Sequence, residues 1–196
     1  MGAGRFLWGA GLFAGACAIG AAVTTKVGAA EVDRELFDAV NAGHGPEVDR
    51  VFVTVTELGS MYAAGAAALT LLVLGRRREA TRAMAAASAT WLLLQGMKRL
   101  VDRARPIDAG AGGARQLIAR PPAMSWPSSH PAVLTTFSRV LARELGVSVA
   151  GRGVLSALDA TVATSRVYLG VHYPSDVVSG LLIGRAVARW WPRGRA

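Results

Sequence analysis

The feature that most constrains this chain is a series of long apolar runs that carry almost no charge. Residues 6–25 are twenty consecutive uncharged residues, and among the twenty-five residues 51–75 only Glu57 is charged. A helix needs about 20 predominantly apolar residues to cross the hydrocarbon core of a bilayer. These runs predict an integral-membrane protein and argue against an ordinary water-soluble fold.

Four further segments predict additional membrane helices. Residues 83–97 form a short uncharged run, but Arg82 and Lys98 at its ends can extend their charged groups to the interfaces. Less apolar segments cover about 131–145, 154–164 and 175–191, as expected for helices that pack inside a bundle. We therefore expect an all-α fold, with residues 1–196 forming a single membrane-embedded domain of six transmembrane helices.

Two segments near the N-terminus allow more than one interpretation. In residues 31–41, Val32, Leu36, Phe37 and Val40 recur at helical spacing, which predicts a short amphipathic helix along the membrane surface. A helix in a soluble loop is the alternative. The first apolar run follows Arg5 and resembles a signal peptide, but it is longer than the 7–15 residues usual for a signal core, which favours a retained helix.

The distribution of charge predicts the orientation in the membrane. The formal net charge is +9, yet six of the thirteen acids lie between Glu31 and Asp49, and arginines flank apolar runs. This pattern is typical of a membrane protein rather than a nucleic-acid-binding face. We expect a bacterial inner-membrane protein with a cytoplasmic N-terminus. The arginines expected on the cytoplasmic side are Arg76, Arg77, Arg78, Arg82, Arg143, Arg152, Arg193 and Arg195.

The segments 98–130 and 165–174 then both face the outer side, and they contain three clusters of reactive residues. The clusters read KRLVDRARP, which starts at Lys98 and includes Arg105, then PSSH, residues 127–130, and SRVYLGVHYPSD, residues 165–176. The cations Lys98, Arg105 and Arg166 suit phosphate oxygens, because arginine presents a planar fork and lysine a point charge.

The remaining residues of the clusters suggest a reaction. Ser128 and Ser129 precede Pro131, a residue suited to the first position of a helix, and helix N-termini bind anions. His130 and His172 can divide the roles of nucleophile and general acid. Asp176, in the first turn of a helix that begins near Pro174, can fold back to orient His172. The set predicts a phosphoryl-transfer site with a histidine nucleophile.

These clusters resemble the signature of the phosphatidic acid phosphatase type 2 superfamily, K-x6-RP, PSGH and SR-x5-H-x3-D. The motif region covers residues 98–176. The resemblance implies that His172 attacks phosphorus, Asp176 orients it and His130 protonates the leaving group. It also implies a phosphate cradle formed by Lys98, Arg105, Ser128, Arg166 and the backbone around Ser129. Ser129 departs from the pattern, since the family usually has glycine there.

The expected function is an integral-membrane lipid phosphatase that works through a phosphohistidine, without a metal or other cofactor. Substrates implied by the family are polyprenyl diphosphate, phosphatidylglycerophosphate, phosphatidic acid and decaprenylphosphoryl-phosphoribose. Two alternatives stay open: a phosphoryl or phosphatidyl transferase that uses the same site, and a non-catalytic protein that binds or transports lipid phosphates. The partners expected are a membrane lipid and the bilayer, with no nucleic acid, and the sequence does not give the oligomeric state.

Overall fold

The computed structural model describes residues 2–110 and 113–194, and this part of the chain is helical without strands. Arg195, assigned above to the cytoplasmic side, lies outside the described residues. The helices are α1 (Ala3–Thr25), α2 (Val27–Asn41), α3 (Pro46–Thr56), α4 (Met61–Val73), α5 (Arg77–Leu100), α6 (Ser129–Glu144), α7 (Val149–Tyr168) and α8 (Pro174–Trp190). A 3-10 turn, Glu57–Gly59, joins α3 to α4. The all-α prediction is confirmed for these residues.

The number of transmembrane helices is not confirmed. Among the described residues, α1 alone is long and apolar enough by itself to cross a bilayer. The pair formed by Pro46–Gly59 and Met61–Val73 passes the same test only when the two parts are taken together, and they are bent by 62°. Each of the six apolar segments does contain a helix, so the positions of the helices were predicted better than their spanning character.

The second predicted membrane helix, over residues 51–75, is broken into two parts. The chain breaks at Ser60, whose side-chain oxygen accepts a hydrogen bond from the Ala63 amide at 3.1 Å and caps α4. At the break, Gly59 lies against His130, and a Cβ added to Gly59 would lie 2.9 Å from the His130 Cβ. The bend therefore brings the end of α3 beside the N-terminus of α6.

Helix α6 is the centre of the bundle and contacts α4, α5, α7 and α8. It approaches α8 backbone to backbone, because Gly180 and Gly184 face the carbonyl groups of Ser128 and Ala132. Small residues four positions apart permit this approach between membrane helices. The contact holds the N-terminus of α6 against the first turns of α8.

Helix α2 is more than a surface helix. Val32 and Leu36 are exposed, as expected for an amphipathic helix, but Phe37 is fully buried and its ring lies 5.5 Å from that of Tyr173. Asp33, on the same helix, is also buried. Helix α2 thus covers the start of α8 and contributes an acidic side chain to the interior.

Substitution of Gly180 tests the contact between α6 and α8. In Gly180→Ala, the new Cβ would overlap the Ser128 carbonyl, and we expect thermal unfolding in detergent to show a loss of about 1–3 kcal/mol. The matched control is Gly65→Ala in α4, where a Cβ meets no atom within 4 Å. Alanine favours a helix over glycine by about 1 kcal/mol, so the control should be neutral or stabilised. Equal stability of the two variants would contradict the close approach.

Candidate active site

The structure brings the predicted site residues to one end of the bundle. Lys98 and Arg166 lie in the last turns of α5 and α7, and His130 and Asp176 lie in the first turns of α6 and α8. The loop from 101 to 128 carries Arg105 and returns the chain to α6. All eight predicted residues lie in this region: Lys98, Arg105, Ser128, Ser129, His130, Arg166, His172 and Asp176.

His172 and Asp176 form the buried centre of the site. Nδ1 of His172 lies 3.4 Å from Oδ2 of Asp176, and both side chains are almost fully buried. Asp176 is the third residue of α8, after Pro174 at the first position, and its Oδ2 also accepts a hydrogen bond from the Tyr173 amide at 2.9 Å. The same carboxylate therefore caps the helix and fixes the orientation of the imidazole.

The protonation state of His172 follows from its burial. Burial lowers the pKa of His172 well below its usual range, although the hydrogen bond with Asp176 opposes this shift. The imidazole is then neutral at neutral pH. With Nδ1 facing the carboxylate, the lone pair lies on Nε2, which is 3.3 Å from Nη1 of Arg105.

Lys98 and Arg105 are buried and are held by main-chain carbonyls. Nζ of Lys98 donates to the Met124 carbonyl at 2.8 Å. Arg105 donates through Nε to the Ala123 carbonyl at 2.9 Å and through Nη1 to the Val171 carbonyl at 2.6 Å. Burial lowers the pKa of Arg105 to about 10, so its guanidinium remains charged at neutral pH. Both cations are fixed before any substrate arrives.

The N-terminus of α6 presents donors without partners. Ser128 is the N-cap residue, and its backbone N–H donates to the Asp176 carbonyl at 3.0 Å. Its hydroxyl is buried and has no hydrogen-bond partner among the described residues. Pro131 is the third residue of α6 rather than the first, because the helix already begins at Ser129. The amides of the first turn are therefore those of Ser129 and His130.

Arg166 completes the cationic side of the site and lies close to His130. Nη1 of Arg166 donates to the Thr56 hydroxyl at 3.0 Å, while its buried Nε has no partner within the described part of the chain. The charges of Arg166, Lys98 and Arg105 all act on the imidazole of His130. A buried hydroxyl, an unpaired guanidinium N–H and a concentration of positive charge suit an oxyanion.

One residue of this site was missed by the sequence reasoning. Arg103 forms ion pairs with Asp176, at 2.5 Å from Nη1 to Oδ1, and with Asp33, at 2.6 Å from Nη2 to Oδ2. The hydroxyl of Ser125 donates to Oδ2 of Asp176 at 2.5 Å. Arg103 lies within KRLVDRARP, two residues before Arg105, but its partner Asp33 is seventy residues away in α2. Only the position of Arg103 within the motif could have drawn attention to it.

The carboxylates near the site are already paired. Asp33 and Asp176 share Arg103, and in residues 2–110 and 113–194 no group of three or more His, Cys, Asp or Glu side chains is arranged to hold a metal. The donors that surround the histidines are cations, amides and hydroxyls. This set suits a phosphate anion better than a divalent cation.

The three clusters lie within a match to a known protein family. The family model of the PAP2 superfamily matches residues 95–195, which is about half of the chain and includes all three clusters. The chain belongs to the PAP2 superfamily. The family resemblance stated from the sequence is confirmed.

Curated relatives of this PAP2 protein are phosphatases of lipids. Decaprenylphosphoryl-5-phosphoribose phosphatase of Mycobacterium tuberculosis is 36% identical over 112 residues, which are 57% of this chain and 59% of the relative. Undecaprenyl-diphosphatase of Sulfolobus acidocaldarius is 27% identical over 152 residues, 76% of this chain and 72% of the relative. The match to the first of these spans less than two thirds of its length.

Two solved structures share the fold. A transmembrane PAP2-type phosphatidylglycerolphosphate phosphatase from Bacillus subtilis superposes with a TM-score of 0.75 at 21% identity and covers 91% of both chains. LpxE from Aquifex aeolicus superposes with a TM-score of 0.71 at 26% identity, over 79% of this chain and 90% of its own. The fold of a transmembrane PAP2 protein thus extends over most of this chain.

Removal of Arg103 tests the buried ion-pair network. Arg103→Ala leaves two buried carboxylates without their counter-charge, and loss of one partner of a buried pair typically costs about 3–5 kcal/mol. Thermal unfolding of the purified chain in detergent measures this loss. The control Arg99→Ala removes an exposed arginine of α5 and should change stability by less than about 0.5 kcal/mol.

A second substitution checks the origin of that loss. Adding Asp33→Asn to Arg103→Ala removes one of the unpaired charges, so the double variant should recover part of the stability. If the double variant is no more stable than Arg103→Ala, the uncompensated charge of Asp33 is not the cause of the loss.

Proposed function

We propose that this chain is an integral-membrane lipid phosphatase that releases the terminal phosphate of a lipid phosphate or diphosphate. The observation that carries the proposal is the buried pair of His172 and Asp176, which lies beside three buried cations and, within the described residues, beside the unpartnered Ser128 hydroxyl and Arg166 Nε. Two curated relatives are named for polyprenyl lipids, a decaprenylphosphoryl sugar phosphate and undecaprenyl diphosphate. Polyprenyl phosphates are therefore the first substrates to test, before phosphatidylglycerophosphate and phosphatidic acid.

In the first step, Nε2 of His172 attacks phosphorus. Its lone pair forms the nitrogen–phosphorus bond while the bond between phosphorus and the leaving oxygen breaks. Asp176 holds Nδ1–H and stabilises the positive charge that develops on the ring, as the carboxylate of a catalytic triad does. His130 donates a proton to the leaving oxygen, which departs as an alcohol or as a lipid monophosphate.

In the second step, water resolves the phosphohistidine. His130, now without its proton, accepts one from the attacking water, and the nitrogen–phosphorus electron pair returns to Nε2. Inorganic phosphate leaves and His130 is again protonated. The two histidines are thus both restored after each turnover.

Cations and the α6 N-terminus stabilise the charge on the transferring phosphoryl group. We assign this role to Lys98, Arg105, Arg166, the Ser128 hydroxyl and the amide of Ser129. Donors fixed in advance around developing charge are the largest contribution in many enzymes. Because these groups meet the phosphoryl charge, the reaction requires no divalent metal ion.

An apolar groove supports a lipid substrate with a long chain. A cavity of about 520 Å³ lies between α4, α6 and α7, and it is lined almost entirely by apolar side chains. It extends along α6 from Val133, one turn after His130, to Leu145 at the far end. We assign this groove to the hydrocarbon chain of the substrate.

Substitution of the histidines tests the reaction. His172→Ala removes the nucleophile and should abolish phosphate release, and His130→Ala should lower kcat by about 10²–10⁴-fold. The control is His44→Ala, which changes the third histidine of the chain at an exposed position. The measurement is release of inorganic phosphate from purified lipids in detergent with excess EDTA. Near-normal release by His172→Ala would contradict the mechanism, and wild-type activity that requires added Mg²⁺ would contradict metal independence.

Filling the groove tests the assignment of the lipid chain. Ala67 lines the groove, and Ala67→Phe should raise KM for a long polyprenyl phosphate while leaving that for a short-chain analogue nearly unchanged. Ala66→Phe adds the same ring at an exposed neighbouring position of α4 and serves as the control. An equal effect on both chain lengths, or in both variants, would show that the groove does not hold the chain.

Cysteine labelling tests the proposed sidedness, with the active site outside and the Arg76–Arg78 turn in the cytoplasm. Cys17 is the only native cysteine and lies in α1, so Cys17→Ser provides a background without thiols. In intact cells an impermeant thiol reagent should label Gly110→Cys, which lies in the loop beside the active site. It should label Glu79→Cys only after permeabilisation. The reverse pattern would place the active site in the cytoplasm.

A further inference from the structure

At the end of the bundle opposite the histidines, arginines from several helices converge on one cavity. Its volume is about 290 Å³. The arginines that line it are Arg5, Arg139, Arg143, Arg152, Arg185, Arg189 and Arg193. They belong to α1, α6, α7, α8 and the segment after α8. Trp8, Leu12 and Leu155 form the apolar part of the wall.

This cavity is separate from the active site. Helix α6 carries His130 as its second residue and Arg143 in its last turn. At about 1.5 Å per residue, these two positions lie roughly 20 Å apart along the helix axis. A ligand in the cavity therefore lies at the end of the bundle opposite the catalytic residues.

Acidic side chains neutralise only a small part of this charge. Among the described residues, Arg139 lies 3.7 Å from Asp159 and Arg143 lies 3.6 Å from Glu144. Glu144 is also shared with Arg82, at 3.2 Å. The other five arginines of the cavity have no carboxylate within 4.0 Å in this part of the chain.

Two guanidinium donors of the arginines that line the cavity also lack a partner among the described residues. The buried Nε atoms of Arg139 and Arg143 make no hydrogen bond within the described residues. Arg5 donates to the carbonyls of Arg189 and Trp191, at 2.5 and 3.2 Å, which holds the start of α1 against the end of α8. The arginines are thus held close together by the fold, with unused donors and uncompensated charge.

We propose that this cavity binds the phosphate headgroup of an anionic phospholipid. The guanidinium fork matches phosphate oxygens in a bidentate manner, and basic pockets between membrane helices are typical sites for such headgroups. The apolar part of the cavity wall favours a lipid over a soluble anion. Trp8 is 63% exposed at the edge of the cavity, where it and Leu12 provide an apolar surface for acyl chains. The cavity shares Ala142 and Leu155 with the far end of the groove assigned to the substrate chain, but its arginines take no part in the proposed phosphatase reaction.

The test measures lipid retention by native mass spectrometry of the full chain in neutral detergent. The probes are dioleoylphosphatidylglycerol, dioleoylphosphatidylcholine as a neutral lipid with the same chains, and inorganic phosphate as a soluble anion. The variant is Arg152→Gln combined with Arg189→Gln, two exposed arginines of the cavity. The control is Arg76→Gln combined with Arg77→Gln, exposed arginines at the N-terminus of α5 that do not line the cavity.

We expect the wild type to retain phosphatidylglycerol in preference to phosphatidylcholine. Each arginine near an anionic lipid is worth about fivefold in affinity, so the double variant should bind phosphatidylglycerol roughly twentyfold more weakly. The control should bind as the wild type does. Arg152→Lys combined with Arg189→Lys keeps the positive charge but removes the guanidinium fork. Its affinity for phosphatidylglycerol should lie between those of the wild type and the double glutamine variant.

Three results would overturn the proposal. Equal weakening in the control would show a general effect of surface charge, and unchanged binding in the double variant would show that the lipid binds elsewhere. If inorganic phosphate stabilises the wild type but not the double variant, and phosphatidylglycerol is not retained, the cavity is a site for a soluble anion. Thermal unfolding of each variant without lipid verifies that it is folded, so that a loss of binding is not a loss of structure.

Discussion

The buried carboxylate of Asp176 is the interaction on which the site depends. It is fully buried and accepts hydrogen bonds from Arg103, Ser125 and the Tyr173 amide. A buried carboxylate needs a counter-charge, and if His172 alone supplied it, the imidazole would be held in its protonated form, which cannot act as a nucleophile. Arg103 supplies that charge instead. His172 can then remain neutral while it keeps its hydrogen bond to the carboxylate.

The positive charges of the site are compensated in a different way from the charge of Asp176. Lys98 and Arg105 are both buried, yet within residues 2–110 and 113–194 no carboxylate accepts their hydrogen bonds directly. Main-chain carbonyls of residues 123–125 and 171 take this role, and a carbonyl dipole compensates a charge without cancelling it. The positive potential therefore remains available to a phosphoryl group, and the cations do not have to reorganise when it binds.

The sequence predicted the helices and the residues of the site better than their connections. Lys98 and His130 lie in the terminal turns of helices and His172 lies in the loop just before α8, and the three motifs together predicted that these residues form one site. The ion pair of Arg103 and Asp33 could not be predicted in this way, because it joins two segments whose association depends on tertiary packing. The break at Ser60 has the same origin, since the residues 51–75 are apolar enough for one helix and only the contact of Gly59 with His130 shows why the helix bends.

The end of the bundle opposite the histidines differs from the active site because its arginines converge on one cavity. Segregation of arginine to one side of a membrane orients a protein, but that effect requires only the number of charges and not their convergence on one cavity. Convergence adds repulsion to helix ends that are already packed. Helices α6 and α8 border both ends, and they touch backbone to backbone at Gly180 and Gly184. An anion among the arginines would therefore relieve repulsion between the same two helices whose other ends position Ser128 and Asp176.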